Sequence, residues 1–91
     1  MNKTYVTFEL IDGNVHREIR VLAADKVRAE GICRDNGWPL VEGPRFHVAL
    51  TYAAAKRAGH TEAANVAAFM DELADYVLSA TEADASEPDP T

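Results

Sequence analysis

Apolar and polar residues alternate at the start of the chain. In Tyr5-Val6-Thr7-Phe8-Glu9-Leu10, the side chains of Val6, Phe8 and Leu10 share one face and those of Tyr5, Thr7 and Glu9 the other. This is the period-two pattern of a half-buried strand, built from the β-branched and aromatic residues that strands favour. A second alternation sets Val15, Arg17, Ile19 and Val21 against His16, Glu18 and Arg20. Between them, Asp12-Gly13 supplies the positive backbone angles of a tight turn. The two segments predict a β-hairpin, which is marginal by itself and needs a helix or a partner chain over its apolar face.

The period then lengthens. Asp25 suits a helix start, where free N–H groups favour an anion, and Gly37 suits the left-handed stop, so a helix is expected from Asp25 to about Asn36. Its stripe is Ala29, Ile32, Cys33 and Asn36, with Val27 beside it. Gly31 costs such a helix roughly 1 kcal/mol against Ala, which close backbone packing would explain. Trp38-Pro39-Leu40-Val41-Glu42-Gly43-Pro44 reads as a loop. A second helix is expected from Arg45 to about Ala58, with Phe46, Ala49, Leu50 and Ala53 inward, Tyr52 near the edge, Lys56 and Arg57 in the last turn, and Gly59 ending it. Thr61 would cap a third helix from Glu62 to about Ser79. There Val66, Phe69, Met70, Leu73 and Val77 follow helical spacing, while Asp71, Glu72 and Asp75 face outward. Residues 79–91, rich in Ala, Ser, Glu, Asp and Pro, lack the apolar surface to offset ordering entropy. The expected fold is therefore α+β: a single domain over residues 1–78, an N-terminal β-hairpin followed by three α-helices, with a disordered acidic C-terminal tail over 79–91.

Charge narrows the partners. The 91 residues carry a formal charge of -6, and four of the fifteen acidic residues (Glu82, Asp84, Glu87 and Asp89) lie in the tail without any Lys or Arg. An acidic chain is repelled by phosphate backbones, so no nucleic-acid partner is expected. A helix-turn-helix around Gly59 is also disfavoured, because the segment after it carries Glu62, Asp71, Glu72 and Asp75 and no Lys or Arg. No apolar run reaches the ~20 residues of a membrane span, and the start lacks the run of a signal peptide, so a cytoplasmic protein without a membrane partner is expected. A core this small gains from association, which makes a homo-oligomer the expectation.

Candidate chemistry is sparse. His16, His47 and His60 are far apart in sequence, with no ligand spacing to join them, so no metal site is expected. Cys33 lies on an apolar stripe, where a thiol serves as a small buried hydrophobe. The glycines stand singly and form no phosphate loop. No catalytic, cofactor-binding or metal residue emerges, and the chain reads as a non-enzyme. Trp38 and Tyr52 are of the type that anchors interfaces, although an aromatic residue just past a helix stop also closes the core over the helix end.

One resemblance gathers these features. The β-hairpin, the helix with Asp25 and Ala29-Glu30, Gly37-Trp38, the run Leu50-Thr51-Tyr52-Ala53-Ala54-Ala55-Lys56-Arg57-Ala58-Gly59, Phe69-Met70-Asp71 and the acidic Pro-containing end together resemble the tail assembly chaperones of long-tailed bacteriophages. The likeness spans roughly Tyr5 to Val77. It implies a non-enzymatic protein of the host cytoplasm that coats the long helical tape measure protein and keeps it soluble until tail tube subunits polymerise around it. The tail tube protein is then a further partner. The resemblance also implies a frameshifted longer product, with the acidic tail as the short product's end or as a linker. On this basis Trp38, Tyr52 and Arg57 are the candidate protein-binding residues. The competing reading is a small phage-encoded regulator or host-factor-binding protein.

Overall fold

A computed structural model describes residues 2–81. Strand β1 (Lys3–Leu10) and strand β2 (Val15–Arg20) form the expected hairpin, followed by helices α1 (Ala23–Asp35), α2 (Pro44–Arg57) and α3 (Val66–Glu72) and a third strand, β3 (Leu73–Thr81). The sheet is antiparallel throughout, in the order β2-β1-β3. The expectation of a hairpin followed by three helices is thus corrected: the third helix stops at Glu72, and the chain returns to pair along the free edge of β1 from Lys3↔Thr81 to Leu10↔Leu73.

The reason lies in two competing periods. Helical spacing would bury Met70 and Val77, yet both are exposed, Val77 by 60%. Tyr76 and Leu78, two apart, turn inward instead and pack against the core. A helix through this segment would have left one edge of β1 unpaired and Phe8 poorly covered; the strand satisfies both. The helix also starts later than expected. Asn65, not Thr61, caps it, its Oδ1 accepting from the Ala68 N–H at 2.8 Å. Residues 61–65 stay non-helical, and their Ala63 carbonyl accepts from Tyr52 Oη at 2.7 Å and Lys56 Nζ at 2.9 Å. Ser79, Ala80 and Thr81 of the expected tail belong to β3; the rest of that tail, 82–91, lies outside the described residues.

The hairpin carries a second departure. Between the pairs Val6↔Ile19 and Phe8↔His16, Thr7 faces two residues, Arg17 and Glu18. Glu18 takes φ 53° and donates its N–H to Thr7 Oγ1 at 2.9 Å. This bulge breaks the alternation read from the sequence: Ile19 is buried, Val15 is exposed, and His16 lies across from the buried Phe8.

Helix α2 forms the middle layer, touching all three strands on one side and α1 and α3 on the others. Its Ala49, Ala53, Ala54 and Ala55 are buried, and small side chains there let α1 approach through Ala29 and Cys33. Phe8 and Phe69, both fully buried, meet edge to face at 5.5 Å, with Tyr52 5.3 Å from Phe69. Burying each phenyl ring contributes roughly 2–3 kcal/mol.

Both longer helices end in the same device. At α1, Gly37 (φ 69°) donates to the Arg34 carbonyl and Trp38 to that of Cys33. At α2, Gly59 (φ 80°) donates to Lys56 and His60 to Ala55. This paired closure requires a left-handed residue, which Gly supplies without a Cβ clash. It also fixes where Trp38 and His60 point away from their helices.

Candidate protein-binding surface

Trp38, Tyr52 and Arg57 occupy three different settings. Trp38 is half-buried at the end of α1 and packs on the core. Tyr52 is buried, and removal from water pushes its phenol pKa up. Arg57 donates through Nε to Asp25 at 2.9 and 3.1 Å, and through a terminal guanidinium nitrogen to the Arg20 carbonyl at 2.6 Å. Asp25 is fully buried, lies within 3.6 Å of Arg28 as well, and accepts the Leu22 N–H at 2.8 Å, closing the first turn of α1. Tyr52 and Arg57 do share one feature: with Arg28, Ile32, Ala53 and Lys56 they line a shallow groove of about 250 Å³ between α1 and α2. Trp38 is outside it.

A broader apolar surface forms around Phe46, in the first turns of α2. Val27 on α1 and Leu40 and Val41 in the loop before α2 are 68%, 50% and 63% exposed. Phe46, half-buried, lines three neighbouring depressions. The first includes Val27 and Leu40, the second Pro39 and Val41, and the third Leu50 and Leu78. Lys26, Glu30, Glu42 and Arg45 punctuate the surface with both signs of charge. Exposed aliphatic side chains grouped around one ring are the composition of a contact surface, where scattered ones would be unremarkable. His47 Nε2 lies 2.7 Å from Glu42 and its Nδ1 3.4 Å from the Tyr76 hydroxyl, tying the loop and β3 to α2 beside this patch.

These residues were visible in the sequence but assigned elsewhere. Phe46 sits on the predicted inner face of α2, and Leu40 and Val41 lie in a segment read only as a loop. The signal available was two aliphatic residues between prolines, where a polar loop would be expected.

Two further pairings escaped sequence reasoning. His16 and His60 meet with their Nδ1 atoms 3.1 Å apart, and His16 stacks on Phe8 at 4.9 Å. The bulge in β2 and the closure of α2 create that contact, and neither is a sequence motif. Cys33 is fully buried, and burial pushes its thiol pKa up, so the thiolate nucleophile is suppressed. Among the described residues, no group of three or more His, Cys, Asp or Glu could hold a metal ion, and no helix is long and apolar enough to cross a membrane.

Comparison with protein-family models, curated proteins and solved structures yields no match.

Proposed function

We propose that this protein is a non-enzymatic binding module that covers apolar segments of a client chain, acting as a tail assembly chaperone toward a tape measure protein. The observation that carries the reading is the exposed aliphatic group Val27, Leu40 and Val41 around Phe46. A long amphipathic client presents apolar stripes that shallow grooves of this kind can cover, and many weak copies along one client supply avidity. The acidic balance of the chain supports solubility of such a coated particle in the host cytoplasm. Tyr52 and Arg57 line a second, shallow groove between α1 and α2 that a client segment would also contact, and Trp38 is half-buried at the end of α1.

The test is co-expression with a tape measure protein, scored by recovery of soluble client. The native chain is expected to keep the client soluble. Leu40→Glu with Val41→Glu, exposed positions whose change leaves the core intact, should weaken capture by at least about tenfold, since charges are excluded from the centre of an apolar contact. Client that stays insoluble with the native chain would sink the chaperone reading and bring forward a small regulatory or host-factor-binding protein.

A further inference from the structure

The two edges of the sheet are built differently. Strand β2 is a guarded edge: six residues long, broken by the bulge at Arg17–Glu18, and lined by Arg17, Glu18 and Arg20. Short length, a bulge and charge are the usual means by which an edge refuses a further strand. Strand β3 has nine residues, pairs with β1 in unbroken register from Lys3↔Thr81 to Glu9↔Asp75, and contains one charged residue, Asp75. Asp75 Oδ1 accepts the Tyr76 N–H at 2.8 Å. That amide therefore faces away from β1, and by the alternation of an antiparallel ladder so do those of Leu78 and Ala80. Among the described residues no strand pairs with this edge.

We propose that β3 is a self-pairing surface, joining two copies of this chain antiparallel about Val77 into one continuous sheet. The argument is the complementarity of the strand with itself. Centred on Val77, the pairing sets Val77 against Val77 on the face away from the helices, Tyr76 against Leu78 on the helix side, Asp75 against Ser79 and Ala74 against Ala80. Apolar side chains meet their own kind, and no like charges stand opposite one another, where they would repel. Val77, which is 60% exposed in the single chain, gains cover. The centre falls on a position where the outward amides of Tyr76 and Leu78 face the partner's, so the ladder forms without slipping the strand.

Association of this kind stops by itself. The six-stranded sheet runs β2-β1-β3-β3-β1-β2, so both of its outer edges are the bulged, charged β2. An isologous pair that consumes its own contact surface closes as a dimer. Asp75 is the single guard on the open edge, and pairing must displace its carboxylate from the Tyr76 amide. The dimer goes beyond the client-binding reading and does not depend on it, but it has a consequence there. Leu78, Ser79 and Ala80 border one of the three depressions that Phe46 lines, so one particle would carry two such surfaces beside its central seam.

The test uses the full chain, followed by light scattering during size-exclusion chromatography from about 1 to about 500 μM, a range over which mass action exposes a weak dimer. The expected mass is twice the 9.9 kDa of the protomer. Val77→Lys sets two cations face to face and should weaken the dimer by at least about tenfold without altering the circular dichroism spectrum. Asp75→Ala removes the guard and should tighten it. Val77→Cys should form a disulfide-linked dimer on mild oxidation, because directly opposed residues of this ladder fall within disulfide reach, whereas Val27→Cys on α1 should not. A full chain that remains monomeric throughout overturns the proposal. So does a dimer that Val77→Lys leaves intact while Val77→Cys cross-links no faster than Val27→Cys.

Discussion

The hairpin is tied to the C-terminal end of α2 at two places, and the two ties differ in kind. One is the buried carboxylate of Asp25, held by Arg57, whose guanidinium also reaches the Arg20 carbonyl at the end of β2. The other is the meeting of His16 on β2 with His60 just past α2, at a hydrogen-bonding distance but open to solvent. The first joins α1 and α2 to the end of β2, and the second joins β2 to the end of α2 alone. What separates them is water. Asp25 is fully buried in the folded chain, whereas the histidines meet in solvent that can take the place of a lost partner, so the two ties carry very different energetic weight.

The largest effect is expected from removing the cation of the buried tie. Arg57→Ala strands a fully buried carboxylate; Arg28 at 3.6 Å compensates only in part, so a loss of about 3 kcal/mol is expected, at the low end for breaking such a pair. Urea unfolding measures it. Asp25→Ala in the same background should recover part of the loss, because no buried charge then remains; equal losses in single and double variants would show that the two side chains do not act as a unit.

Tyr52→Phe probes an intermediate case. It removes one donor to the Ala63 carbonyl while Lys56 keeps the other, so about 1 kcal/mol should be lost near neutral pH. The same variant sharpens the comparison at high pH. Burial raises the Tyr52 pKa, so the folded state retains the proton more firmly than the unfolded chain. Its stabilising contribution is intact below the ordinary tyrosine range and is lost as pH rises from there through the folded value. Native stability should therefore fall toward that of Tyr52→Phe above about pH 10. Parallel pH curves for the two proteins would refute this.

The smallest effect is expected at the solvent-exposed tie. His60→Ala should cost no more than about 0.5 kcal/mol, because water replaces the lost partner. A loss comparable to that of Arg57→Ala would erase the distinction between the two ties.

Much of this molecule was legible from local pattern. The alternation of Val6, Phe8 and Leu10 marked β1, and Gly37 and Gly59 marked the ends of two helices because only a left-handed residue closes them without strain. Pro44 marked the start of α2. The candidate surface was less legible. Phe46 has the spacing of a core residue, and the exposure of Val27, Leu40 and Val41 becomes informative only once they are seen around it. Trp38, Tyr52 and Arg57 were recognisable as consequential side chains, yet their surroundings were not: Arg57 depends on a carboxylate 32 positions away.

The sequence by itself determined the hairpin, the first two helices and their stops, since these depend on backbone freedom and on residues within a turn or two of one another. Tertiary structure decided the rest. Leu73–Thr81 satisfies both a helical and a strand-like pattern, and the unpaired edge of β1 selected the strand because buried backbone groups must find partners. The bulge opposite Thr7 then placed His16 over Phe8 and left Val15 in solvent, because one added residue reverses every side chain beyond it.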